Sequence, residues 1–385
     1  MWAAIVLILS VSLQDRVLEE GKPGDVGMSA ARLERAAGIL EEETLGGRVL
    51  AASILVARKG KIVLHRGSGR LAQEPSSPPA GPDAVYIVAS ITKPVTYTAL
   101  LMMVERGHVC LIDPVQKYLP EFQGPEREKV RVQDILTHTS GLPDQLPENL
   151  DLRRAHAPLA EFTKRAMTTP LLFVPRTSFS YQSMGTLLAG EIVERITKER
   201  LRDFEKREIF DPLGMTGTSL GLGGRAIAQT AWTQGTPSFE TSEEDRKRWG
   251  ANSLYWRDIG HPWGGMHSTT RDLAIFFQMF LNQGVYGGRR ILGAPTVKAM
   301  TSDQNHAVDA PFGLGFALKR SRIANFFGDL GSDRTFGHVG ATGTVAWADP
   351  DRDLLCVILT TRPGDEDQGF LLRRVSNAVQ AAVER

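Results

Sequence analysis

Apolar, β-branched runs stand at both ends of this chain, and the long stretch between them is spaced for helices. Residues 49–57 and 62–66 are separated by Arg58-Lys59-Gly60-Lys61, which predicts a hairpin with Gly60 supplying the positive φ of a tight turn. At the other end, 312–319, 343–348 and 354–361 read as strands. The polar turn Asp349-Pro350-Asp351-Arg352 makes the last two a second hairpin. Segments 132–137, 159–167, 185–197, 203–209 and 271–283 have helical spacing. Further helices are expected at 29–45 (capped by Ser29), at 92–106 (ended by Gly107) and at 369–383. Strands supplied by both termini bury their apolar faces by meeting in one sheet. The expectation is therefore an α+β fold: an antiparallel sheet built from both termini and flanked by helices, with an inserted, mostly helical subdomain. The boundaries predicted are 25–111 with 286–385 for the sheet part and 112–285 for the insertion.

Charge and cysteine content exclude several classes. The chain has 385 residues with 45 basic and 44 acidic side chains, a net charge of +1. That balance leaves no basic face for nucleic acid and no polybasic membrane patch. Cys110 and Cys356 are the only cysteines and are both expected in the core. No His or Cys cluster has zinc spacing, so neither metal nor cofactor is expected. Residues 1–13 include the apolar stretch Trp2 to Leu13, of signal-peptide length but too short to span a bilayer. Ser10-Val11-Ser12 could form a cleavage site, yet no Lys or Arg precedes the stretch. A signal would place the protein in the periplasm or outside the cell. A first helix or frayed terminus would leave it in the cytoplasm.

Ser90-Ile91-Thr92-Lys93 lies where an apolar stretch turns into a helix. Positions i and i+3 share a helix face, so the Lys93 amine can reach the Ser90 hydroxyl and take its proton. Pro94 is tolerated because it falls in the first turn. The pattern gains weight from five motifs downstream, in order: Ile112-Asp113-Pro114-Val115, Leu136-Thr137-His138-Thr139-Ser140-Gly141-Leu142, Phe179-Ser180-Tyr181-Gln182-Ser183, Trp263-Gly264-Gly265-Met266 and Gly337-His338-Val339-Gly340-Ala341-Thr342-Gly343. With these, the chain resembles the serine β-lactamase and penicillin-binding protein superfamily over roughly residues 30–380. The branch it resembles is the class C β-lactamase-related group, which includes family VIII carboxylesterases, D-amino-acid peptidases and DD-carboxypeptidases.

The resemblance implies a β-lactamase/transpeptidase-like fold and an acyl-enzyme mechanism. Ser90 would be the nucleophile, with Lys93 and Tyr181 moving protons; Tyr181 could act as a base only if the Lys93 cation lowered its pKa. The amides of Ser90 and Ala341 would form the oxyanion hole. Ser183, His338, Gly340 and Trp263 would border the substrate. His338 stands where relatives carry a lysine, which weakens the anchor for substrate carboxylates. Ser183 stands where many have Asn, and it lacks the amide that bonds an acylamino group.

Other residues read structurally: His138 as a hydrogen-bonded turn residue, Asp113-Pro114 as a turn and Ser268 to Asp272 as a helix start. Gly264-Gly265 would let backbones pass closely. Trp232, Trp249, Trp256 and Trp263, with Tyr255 and Phe239, would either contact an apolar acyl or aryl group or pin down a long loop. A small-molecule ester or amide is the implied partner. The favoured activity is a carboxylesterase on short-chain or aryl esters. The alternatives are a β-lactamase or D-amino-acid peptidase and, outside catalysis, a penicillin-recognising scaffold.

Overall fold

The computed structural model describes residues 15–235, 242–364 and 367–384; residues 1–13 and Phe239 lie outside them. Seven strands form the main sheet: β1 (Glu19–Glu20), β2 (Ala51–Arg58), β3 (Lys61–Gly69), β4 (Ala317–Leu318), β5 (Phe336–Gly340), β6 (Thr344–Asp349) and β7 (Leu354–Thr360), in the order β1-β3-β2-β7-β6-β5-β4. Both termini supply strands, and the two halves meet where β2 pairs antiparallel with β7, Val56 opposite Cys356. The one departure from an antiparallel sheet is at the edge, where β1 runs parallel to β3 and makes the sheet mixed.

Every residue of β2, β6 and β7 is buried, so alternation sorts apolar side chains between two covered faces rather than between core and water. Ile54, Val56, Trp347, Cys356 and Ile358 face the pair α1 (Ala30–Leu45) and α5 (Phe370–Ala381), whose Leu33, Ile39, Leu40, Leu371 and Val375 complete that layer. Leu55, Ala346, Leu355 and Val357 face the larger core, which holds α2 (Thr92–Glu105), α3 (Met184–Thr197) and α4 (Thr270–Leu281). At about 25 cal/mol per Å² of apolar surface removed from water, this two-faced burial makes the sheet the rigid base of the molecule. The β2–β3 turn has φ of 52° at Lys59 and 78° at Gly60, the doubly left-handed turn that matches strand twist.

Three expectations need correction. The strand expected over 312–319 is reduced to Ala317–Leu318, because the Gly313 amide bonds the Phe316 carbonyl at 2.9 Å and Gly315 has φ 100°, which folds 313–316 into a turn. The helix expected over 203–209 runs from Leu201 to Glu205 and then widens to i→i+5 pairing over Lys206–Phe210. Cys356 is buried as expected, but Cys110 is exposed: the helix ends at Gly107 and the Cys110 amide is needed in a surface turn, where it donates to Asp113 (3.2 Å).

Candidate active site

The segment before Ser90 is held on two sides. Tyr86–Ile87 pairs with Met266–Ser268, and the Val88 amide continues the ladder to the Met266 carbonyl at 2.9 Å. On the other side, Thr342 Oγ1 donates to the Ile87 carbonyl (2.9 Å) and Thr344 Oγ1 to the Val88 carbonyl (3.1 Å). These bonds clamp the β5–β6 turn against the nucleophile segment. Ala89 is held left-handed at φ 46°, a conformation that costs a non-glycine residue on the order of 1–3 kcal/mol. A single turn then carries Ser90 into α2.

Gly340 is where β5 comes closest to this segment. A Cβ there would lie 2.3 Å from the Val88 carbonyl oxygen and 2.2 Å from Thr344 Oγ1. Only a bare backbone fits. Gly264 and Gly265 have the same character, since Cβ atoms there would strike the His261 ring at 2.8 Å and its backbone nitrogen at 2.6 Å.

Lys93 is completely buried. Its Nζ donates to Ser90 Oγ (3.0 Å), Ser183 Oγ (3.1 Å) and the Trp263 carbonyl (3.1 Å). Burial lowers its pKa from 10.5 to about 8, against the opposing pull of Asp144. The shift amounts to ~3 kcal/mol in favour of the free amine, and roughly a tenth of the lysine is neutral at pH 7. The Tyr181 ring lies under the same ammonium, 4.7 Å from Nζ to the ring centre. Its hydroxyl is pushed well above the ordinary phenol value by burial and by the Asp144 charge, while a hydrogen bond with Ser90 pulls the other way. The lowering that a phenolate base would need is therefore not met. Lys93 touches the ring face rather than the hydroxyl, and Tyr181 keeps its proton.

His338 is buried, and its Nδ1–H donates to the Val339 carbonyl at 2.8 Å. Burial and the Lys93 charge push its pKa down to about 3, so it is a neutral imidazole. His138 has a structural place: Nδ1 accepts from the Gln182 amide (3.2 Å) and its carbonyl from the Ser180 amide (3.0 Å). Ser140 Oγ donates to Gln182 Oε1 at 2.6 Å. The turn at 137–142 thus holds both neighbours of Tyr181 and so aims the tyrosine. The Trp263 indole is buried, 4.4 Å from the His261 ring, and it is the residue's carbonyl that meets Lys93. Trp249 and Trp256 are also buried, with Arg153 3.9 Å over Trp256. Tyr255 bonds the Ala157 carbonyl (2.8 Å), and buried Arg257 holds Thr230, Ala231, Ala251 and Asn252. These side chains pin down residues 230–235 and 242–257.

Ser90, Lys93, Tyr181 and Ser183 are thus brought together, with Gly340 and His338 beside them. Sequence reasoning missed Asp144, whose Oδ1 accepts from Ser183 Oγ at 2.5 Å. Its only signal was position, two residues beyond the 137–142 motif. It also missed Glu205, buried behind α2 and bonded to Thr96 (3.1 Å), with its carboxyl raised to about 8 by burial.

A family model described as Beta-lactamase matches residues 34–380. The chain belongs to the β-lactamase family. It is thereby a member of the serine β-lactamase and penicillin-binding protein superfamily of serine hydrolases. A Salmonella gallinarum protein with the provisional name D-alanyl-D-alanine carboxypeptidase is 29% identical over 397 residues, covering 94% of this chain and 90% of the relative. Among solved structures, a penicillin-binding protein homologue from Caulobacter crescentus superposes with a TM-score of 0.76 at 21% identity, covering 92% of this chain and 99% of that one. A family VIII carboxylesterase does so with a TM-score of 0.71 at 21% identity, covering 91% and 98%. These likenesses establish a β-lactamase-like fold. Among the described residues of this family member, no helix is long and apolar enough to cross a membrane.

Proposed function

We propose that this protein is a carboxylesterase for short-chain or aryl esters, working through an acyl-enzyme on Ser90. The observation that carries the reading is the pairing of Ser90 Oγ with a buried Lys93 amine whose pKa has fallen to about 8. Neutral Lys93 takes the Ser90 proton as Oγ attacks the ester carbonyl, and the amides of Ser90 and Ala341 stabilise the oxyanion. Collapse breaks the bond to the alcohol, whose oxygen takes the proton that Lys93 removed from Ser90, with the Tyr181 hydroxyl donating a hydrogen bond to it; Lys93 is left as the free amine. Water then attacks the acyl-enzyme, giving its proton to the free amine; collapse releases the acid, and Ser90 Oγ takes that proton back from Lys93. We read the site as lying between the sheet part (25–111 with 286–385) and the helical insertion (112–285).

Ester rather than β-lactam or peptide chemistry is favoured by neutral His338, which offers no fixed cation to a substrate carboxylate. Ser183 adds only a short hydroxyl where an acylamino group would want an amide. Esters also need less help for their leaving group than amides do. The second reading, a D-alanyl-D-alanine carboxypeptidase, is favoured by the name of the Salmonella relatives.

The test is hydrolysis of 4-nitrophenyl butyrate by the native protein and by Ser90→Ala, beside nitrocefin and a D-Ala-D-Ala peptide. Ester turnover that Ser90→Ala abolishes, with kcat/KM above both other substrates, is expected. Equal ester rates in the two proteins, or preferred cleavage of the peptide, would overturn the assignment.

A further inference from the structure

Asp144 has no part in the proton transfers above, yet it stands beside them. Its segment is firmly held, with Leu142 and Leu146 buried on either side and the Leu142 amide bonded to Ser140 Oγ at 3.1 Å. The carboxylate accepts from Ser183 Oγ (2.5 Å), and that hydroxyl oxygen in turn takes a bond from Lys93 Nζ (3.1 Å). One hydroxyl therefore separates Asp144 from the general base. Asp144 is half-buried, and among the described residues no lysine or arginine forms an ion pair with it.

Of the basic groups described around it, only Lys93 can carry a positive charge. The His338 Nδ1–H is spent on the Val339 carbonyl, and the His138 Nδ1 accepts from a backbone amide, so neither ring presents a cation. Burial keeps both imidazoles, and that of His261, neutral. Lys93 is fully engaged by three acceptors. In the reactive form, with Lys93 as the free amine, a substrate thus meets a carboxylate as the one formal charge beside the nucleophile among the described residues.

We propose that Asp144 is a specificity-determining residue that favours acyl groups carrying an ammonium and rejects acyl groups ending in a carboxylate. The inference rests on the ester-hydrolase reading. The oxyanion is directed to the Ser90 and Ala341 amides, and the leaving oxygen is directed to the Tyr181 hydroxyl. The Ser183–Asp144 side is left for the acyl chain, within reach of a group three or four bonds from the carbonyl carbon. In a partly desolvated cleft an unpaired carboxylate attracts an ammonium and repels a second carboxylate at such range, and both effects widen the same ratio.

Three 4-nitrophenyl esters of matched shape test this: 4-(trimethylammonio)butyrate as the cation, 5,5-dimethylhexanoate as its neutral isostere and the glutarate monoester as the anion. Rates are corrected with Ser90→Ala, and each kcat/KM is taken relative to the neutral ester in the same variant. The native protein is expected to prefer cation over anion at least about tenfold. Asp144→Asn should bring that ratio close to one, and Asp144→Glu should retain most of it. Asp144→Ser serves the same comparison should Asp144→Asn not fold. A native ratio of one or below, or a ratio that survives both neutral substitutions, would overturn the inference. If 4-nitrophenyl butyrate is not cleaved faster by native protein than by Ser90→Ala, the ester-hydrolase reading falls, and the inference with it. If it is cleaved without charge preference, only the role of Asp144 falls.

Discussion

Replacing Gly340 by alanine isolates the oxyanion hole from the rest of the site. The added Cβ would lie 2.3 Å from the Val88 carbonyl oxygen, 2.2 Å from Thr344 Oγ1 and 3.2 Å from the Ala89 Cβ. Thr344 can rotate, but at the cost of its bond to Val88. The Val88 carbonyl has little room to yield, because the preceding peptide is fixed by the bond from the Val88 amide to Met266 and the following residue, Ala89, is held left-handed. The end of β5 must then move away from the nucleophile segment, by roughly an ångström if ordinary carbon–oxygen contact is to be restored. Overpacking of this kind costs about 1–3 kcal/mol of stability. The larger effect falls on catalysis, since misplacing one oxyanion donor lowers kcat by about 10²–10³. The assay is kcat on 4-nitrophenyl butyrate with Tm measured in parallel. Gly38→Ala is the control, because a Cβ on that helical glycine meets nothing within 4 Å. It should gain up to about 1 kcal/mol and keep native kcat. A Gly340→Ala protein with kcat within threefold of native would refute the placement of the Ala341 amide in the oxyanion hole.

Two further outcomes depend on buried charges. Because the free amine of Lys93 is the base, kcat/KM should rise with pH along a limb centred near 8, the value to which burial has lowered Lys93; a limb centred below 7 would point to another base. Glu205 has its carboxyl raised from 4.5 to about 8, so between those values the folded protein binds more protons than the unfolded chain, and stability falls as pH rises. Glu205→Gln cannot ionise, so its Tm should exceed the native value at pH 8 and the gap should close near pH 5. A gap that does not change with pH would show that Glu205 is not the group titrating.

Much of this was legible because it depends on local chemistry. The Lys59-Gly60 turn, the Ser90–Lys93 spacing and the Gly107 helix end each arise from a few adjacent residues. The strands that pair over long range were legible through their apolar runs, although Gly313 and Gly315 broke one of them where the pattern alone suggested continuity. The site was harder to see where distance in space departs from distance in sequence. Asp144 reaches Ser183 across 39 positions. Glu205 reaches Thr96 across 109. Nothing about either acid's neighbours in sequence announces its partner. The tryptophans gave two readings because composition does not tell which way a ring faces. Packing turns Trp249, Trp256 and Trp263 inward, while Trp232 is half-buried.

The central strand pair has a consequence for how the molecule is made. β2 is completely buried in the finished sheet, but its partner β7 begins at Leu354, almost three hundred positions later. A ribosome working at about 5–20 residues per second needs roughly 15–60 s to deliver it. During that interval the β2–β3 hairpin presents an unpaired edge of Ala51–Arg58 to whatever else is nearby. Helices of the middle region can form as they emerge, since their contacts are local. The sheet cannot, and its first hairpin must be kept from neighbouring nascent chains until the last strand arrives.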